Sequence, residues 1–148
     1  MIRFTVPGAP KGKARPRVTK AGHAFTPKGT VEYENWVKQC FVLSGQKGCL
    51  EGQIEARIKA FFPIPRSTSQ SKRIQMVIGK IQPAKKPDID NIAKSVLDAL
   101  NGMAYQDDSQ IVKLIIEKWY SNDPHVEVEL IELGDDKICP EESDQAQE

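Results

Sequence analysis

Runs with a period of two and runs with a helical period follow one another along this chain, and their order sets the expected architecture. Ile2 to Val6 reads as a short strand closed by Pro7-Gly8-Ala9-Pro10, where proline cannot donate to a ladder and glycine permits a turn. Thr30 can cap a helix whose apolar residues recur at Val31, Trp36, Val37, Cys40, Phe41 and Leu43 before Ser44-Gly45 ends it. Glu32 and Glu34 fall in the expected first turn, where the helix dipole favours acids. Gln53 to Phe62 sets Ile54, Ala56, Ile58 and Ala60 on one face, a half-buried strand. A second helix is expected from Asp88 to Leu100. Pro87 disfavours helical geometry at Lys86, Asp88 can cap, and Ile89, Ile92, Ala93, Val96, Leu97 and Leu100 form the stripe. Gly102 suits the left-handed position after the helix. Val112, Leu114 and Ile116 then alternate with Lys113, Ile115 and Glu117 as far as Trp119-Tyr120. After Ser121-Asn122-Asp123-Pro124 a further run from His125 to Leu133 carries Val126, Val128 and Leu130, and the two runs together predict a β-hairpin.

Between these runs lie two basic segments. Lys11, Lys13, Arg15, Arg17 and Lys20 occur with no acid and no helical period among them, which reads as a loop or arm. Residues 64–86 read as a long basic loop with one helical turn at Met76-Val77-Ile78. Residues 134–148 are polar and acidic, and a disordered tail is expected there. The fold class is therefore α+β: one domain over residues 1–133, a mixed β-sheet packed with two main α-helices.

Composition narrows the function classes. With 148 residues and 39% hydrophobic content the chain suits one core. It has neither the apolar run of a membrane span nor that of a signal peptide, so a cytoplasmic protein without membrane contact is expected. Cys40, Cys49 and Cys139 lack paired CxxC spacing, which argues against a disulfide framework or structural zinc. The net charge of +1 conceals a division: residues 1–87 carry 17 Lys and Arg against 4 Asp and Glu, whereas residues 88–148 carry 4 against 16. A basic half implies a surface for a polyanion; alternatively, the halves neutralise each other across the fold.

Candidate chemistry concentrates in the second helix. Asp90, Lys94 and Asp98 are spaced i, i+4, i+8 and share one face, with Asp88 at the entrance beside Lys85 and Lys86. Two carboxylates meeting a phosphate suit magnesium, which takes one or two carboxylates and completes its shell with water and substrate oxygens. Taken alone, the same segment reads first as helix caps and a surface ion pair. Asp107-Asp108 tip the reading toward a metal, since the chain can fold back there and bring another carboxylate beside the helix, and converging like charges need a cation. Tyr105, Phe25 and Tyr33 can stack on unpaired bases or simply pack. Trp36 reads as core, and His23 and His125 as surface residues.

The string KPDIDNIAKSVLDALNG followed by DDSQIV resembles the signature of the RusA family of Holliday junction resolvases, often found in bacterial prophages, and GAPKGKARPRVTK with TPKGTVEYE resembles that family's basic N-terminal segment. The resemblance runs from about residue 2 to 133. It implies a homodimeric, magnesium-dependent endodeoxyribonuclease without an organic cofactor, acting on four-way junction DNA by paired symmetric nicks in recombination and repair. It also implies that Asp88, Asp90 and Asp108 hold magnesium and that Lys94 is the active-site lysine, with Asp107 as the neighbour of Asp108; it assigns Asp98 no role. Lys11, Lys13, Arg15, Arg17, Lys20, Lys85 and Lys86 are the expected phosphate contacts. The rival readings are a non-catalytic nucleic-acid-binding module and a metal-dependent nuclease for other branched DNA or RNA.

Overall fold

The computed structural model describes residues 1–46 and 48–134. Apart from Gly134, the expected acidic tail lies outside them, as does Cys139. The chain forms β1 (Ile2–Pro7), the two-residue strands β2 (Arg17–Val18) and β3 (Ala24–Phe25), α1 (Lys28–Leu43), β4 (Gln53–Pro63), α2 (Gln70–Val77), α3 (Ile89–Ala99), a 3-10 turn (Asp108–Gln110), β5 (Ile111–Ser121) and β6 (His125–Leu133). This is the expected α+β domain, with a mixed four-stranded sheet and α2 as a third, shorter helix. No described helix is long and apolar enough to cross a membrane.

The sheet order is β1-β6-β4-β5. The expected hairpin is therefore not formed: β4 lies between β5 and β6, parallel to the first and antiparallel to the second. Ile54, Ala56, Ile58, Ala60 and Phe62 are all buried and β4 pairs along its length on both sides, whereas β5, at the edge, keeps Val112, Leu114 and Ile115 exposed. Residues 122–124 bridge β5 to β6 over the end of β4, about two strand spacings or ~10 Å, which a short extended link can span. The parallel β4–β5 pair needs a long crossover, and residues 64–110 supply it with α2 and α3.

Helices α1 and α3 cover one face of the sheet, where Phe4 meets Phe41 edge to face at 5.6 Å among Val6, Val37, Ile92, Val96, Val128 and Leu130. Several helical expectations change. The first helix starts three residues earlier, at Lys28 with Pro27 as its cap residue, so Thr30 is buried within the helix and its hydroxyl accepts from the Ala14 N–H at 3.1 Å. Glu32 and Glu34 consequently lie beyond the first turn. Trp36 is 38% exposed rather than core, and its indole N–H donates to the Pro7 carbonyl at 2.8 Å. Val31 and Leu43 are exposed too, because the stripe that packs runs through Tyr33, Val37, Cys40 and Phe41. Ile89 likewise faces out of α3. The expected single turn at residues 76–78 is the end of the two-turn α2, capped by Ser69 and followed by Gly79, whose positive φ and close approach to Trp119 leave no room for a side chain.

The other face of the sheet carries an ion-pair ladder across all four strands. Arg3 meets Glu129 at 3.0 Å, Glu129 meets Arg57 at 3.8 Å, Arg57 meets Glu55, and Glu55 meets Lys113 at 3.4 Å. Burial pushes the Glu55 carboxyl up, but Arg57 and Lys113 outweigh it and hold the group below the usual carboxylate range. Part of the basic half is thus neutralised within the fold. His125 stacks on Phe61 at 4.4 Å and contacts the Asp123 carbonyl and the Glu127 carboxylate. Partial burial disfavours its charge; the carbonyl and carboxylate outweigh that and raise its pKa above 6.5. A raised pKa means that protonated His125 adds stability at low pH and loses it as pH climbs through the folded-state value. Chemical denaturation should therefore show unfolding free energy falling as pH rises from the ordinary imidazole value of 6.5 through the higher folded-state value, with a shallower fall in His125→Gln. An identical slope in the two proteins would remove His125 from the account.

Candidate active site

The N-terminal basic segment is a strap rather than a loose arm as far as residue 14. Ser95, a polar residue buried in the apolar face of α3, donates its hydroxyl proton to the Lys11 and Ile92 carbonyls, each at 2.8 Å. The Lys13 N–H donates to the Asn91 carbonyl at 2.9 Å. Between them Gly12 presses on the start of α3, where a Cβ would stand 2.9 Å from that of Pro87 and 3.0 Å from that of Asn91. The strap, the start of α1 and the start of α3 enclose an open cleft of about 650 Å³ lined by Lys11, Lys13, Thr30, Lys86, Asp88 and Asn91.

Asp88 occupies the cap position of α3 in extended geometry, yet its carboxylate makes no capping bond. Asp90 lies in the first turn, exposed. Among the described residues neither side chain has an ion-pair or hydrogen-bond partner, so the capping reading does not account for them. Lys94 is 63% exposed and leans toward Asp98 at 3.8 Å, and Asp98 also receives Lys13 at 3.0 Å. The Lys13 ammonium bridges Glu34 at 2.8 Å as well. The Glu34 bond raises the Lys13 pKa against the opposing effect of burial, and Asp98 adds to the rise. Of the expected phosphate contacts, Lys13 thus has its charge taken up in fastening the strap. Lys11 and Lys86 line the cleft, Lys85 sits 5.6 Å from the Tyr120 ring, and Arg15, Arg17 and Lys20 stand on the exposed β2–β3 hairpin.

The double aspartate divides into two roles. Asp107 caps the 3-10 turn: its carboxylate accepts from the Ser109 N–H at 3.2 Å, and the Ser109 side chain first, with that N–H second, holds its pKa below the usual range. The Gln110 amide closes the box by accepting from the Asp107 N–H at 3.0 Å and donates to the Leu50 and Gly52 carbonyls at 3.1 Å. Asp108 is left exposed with no partner among the described residues. Tyr105 lies fully buried beneath the turn and donates to the Leu97 carbonyl. Burial raises its pKa, and the charges of Asp108, Asp98 and Asp107 raise it further. Asp98 lies in the last turn of α3, and Asp107 and Asp108 follow the 101–105 turn at that same end. Asp88 and Asp90 lie at its N-terminal end, ~12–15 Å away along the axis at 1.5 Å per residue. Among the described residues no three carboxylate, histidine or cysteine side chains form a metal-holding group. The chain does fold back beside the helix, but at the end opposite Asp88 and Asp90. Oxygen donors unengaged by other partners fit a hard cation, and magnesium commonly takes only one or two carboxylates from a protein.

Ser95, Thr30, Glu34 and Gln110 position this site and were not among the sequence candidates. A buried-face serine in the stripe of α3 was the one legible signal; the others serve distant backbone or charges that only the fold brings close.

The model of the family described as Endodeoxyribonuclease RusA matches residues 7–131. The chain is also 35% identical over 138 residues to the uncharacterised protein YqaN of Bacillus subtilis strain 168, an alignment that covers 90% of this chain and 97% of that protein. The match takes in the strap, the cleft, α3 and the Asp107-Asp108 turn together, and on that extent this chain belongs to the RusA endodeoxyribonuclease family.

Proposed function

We propose that this protein is a magnesium-dependent, structure-selective endodeoxyribonuclease that works in the cytoplasm as a homodimer and resolves four-way DNA junctions by paired symmetric nicks. The observation that carries the reading is the pair Asp88 and Asp90 at the start of α3, uncommitted to caps or ion pairs, with Asp88 lining a cleft bordered by Lys11 and Lys86. These two carboxylates would hold the ion. Asp108, at the other end of α3, enters as the third carboxylate through the family resemblance. When bound, magnesium supplies Lewis-acid polarisation of the phosphate and a nucleophile from water at neutral pH. Lys94, exposed and only loosely held at 3.8 Å from Asp98, is free to turn toward charge developing on the phosphate or the leaving oxygen. Lys11, Lys86, Arg15, Arg17 and Lys20 position the backbone without reading sequence, so binding weakens as salt rises.

The test is cleavage of a labelled synthetic four-way junction, with linear duplex as control, across a magnesium titration. Symmetric nicks in two strands that require both the junction and magnesium are expected. Junction binding that never yields nicks would leave a non-catalytic binding module, and equal cutting of the duplex would remove the structure selectivity.

A further inference from the structure

We propose that the β2–β3 hairpin is a wedge that sets Phe25 against an unstacked base at the branch point of the junction, an inference that rests on the junction-resolving reading. Three aromatic side chains were candidates for stacking on bases. Tyr33 and Tyr105 are 5% and 0% exposed and belong to the core, which leaves Phe25, 47% exposed. Every residue from 14 to 26 is exposed, so the hairpin packs no core and Phe25 contributes little burial to folding. Its surroundings suit a nucleic acid: residues 11–31 hold six Lys and Arg and no acid.

Geometry adds direction. Phe25 is directly opposite Arg17 in the β2–β3 register, so the phenyl ring and the guanidinium project from one face, one fitted to a base and the other to its phosphate. The tip is closed by bonds from the Thr19 N–H to the His23 carbonyl at 2.8 Å and from the Gly22 N–H to the Thr19 carbonyl at 2.9 Å. The His23 N–H donates to the Thr19 hydroxyl at 3.1 Å. Both stems rise from the rim of the cleft. Residues 10–14 line it on the way in, Pro27, Gly29 and Thr30 on the way out, and the Ala14–Thr30 bond ties the stems together. Phe25 is two residues from Pro27, so its Cα lies within about 7 Å of that of a cleft residue. A base held there keeps its strand over the cleft that contains Asp88. A stacked aromatic tolerates any base, which suits recognition of a branch by shape.

The experiment uses the full chain and a four-way junction with 2-aminopurine at the branch point, in buffer without magnesium, against a linear duplex with the same label. Wild type and Phe25→Trp should raise the fluorescence on binding as the labelled base leaves its neighbours. Phe25→Ala and Phe25→Leu should not; each should bind the junction roughly tenfold more weakly while duplex binding and its salt slope stay unchanged. The leucine variant keeps an apolar side chain in the hairpin, so a loss shared by both variants reports the missing ring. An equal rise from the alanine or leucine variant at saturating protein overturns the wedge. A wild type that nicks junctions in magnesium with no fluorescence rise overturns the wedge alone. A wild type that does not prefer the junction to the duplex overturns the junction-resolving reading and the wedge with it.

Discussion

Asp90→Asn is expected to lower the rate of junction nicking at least ~10²–10³-fold while junction binding is kept. A metal ion contributes several kcal/mol of charge stabilisation in the transition state, and each ~1.4 kcal/mol is a factor of ten in rate. The amide keeps the shape of the side chain and loses the charge that holds a hard cation. Asp90 is exposed and has no partner among the described residues, so the substitution should cost the fold less than about 0.5 kcal/mol. Removing a negative charge beside bound phosphates should leave affinity the same or higher. Nicking rates in magnesium, with a mobility-shift assay of the same protein, separate the two effects; an Asp90→Asn protein that nicks like wild type would remove the metal from this end of α3. Asp107 and Asp108 make the internal control. On the family resemblance, which alone brings Asp108 into the site, Asp108→Asn should also lose activity, whereas Asp107→Asn, which alters a turn cap and retains an amide oxygen to accept from Ser109, should keep most of it.

Tyr105→Ala should give the largest loss of stability, about 3–5 kcal/mol in urea denaturation. The ring is fully buried, and the residue bridges to both Leu50 and Asn101 through its backbone while its hydroxyl holds the Leu97 carbonyl. It thereby joins the end of α3, the approach to β4 and the turn carrying Asp107 and Asp108. Tyr105→Phe keeps the packing and orphans one buried carbonyl, for about 1–3 kcal/mol. The slopes with denaturant should match wild type, since the surface exposed on unfolding barely changes. A Tyr105→Ala midpoint equal to that of wild type would show that the pocket beneath the turn is filled another way.

The elements that announced themselves were those whose pattern is local. The stripe Ile92, Ala93, Val96 and Leu100 on α3 and the alternation along β4 follow from the spacing of side chains on a helix and a strand, and both are buried as that spacing requires. The first helix was legible in its body and misplaced at its start, because Thr30 is the kind of residue that caps helices and here serves the Ala14 N–H instead. The β5–β6 hairpin failed for a related reason. A short turn between two alternating runs marks them as antiparallel, and nothing in those runs tells whether a third strand lies between them.

The candidate site divides along the same line. Asp88, Asp90, Lys94 and their exposure on one helix follow from an eleven-residue segment, and the sequence alone determined them, together with the basic character of the residues around them. Which cations remain for DNA was decided by tertiary structure, since Lys13 meets Glu34 and Asp98 only when the strap crosses α1 and α3. The placing of Asp107 and Asp108 at the far end of α3, and the survival of Phe25 as the exposed one of three aromatics, were decided there too. The physical reason is range: periodicity and charge act over a few residues, whereas burial, strand order and ion pairing depend on which distant segments meet.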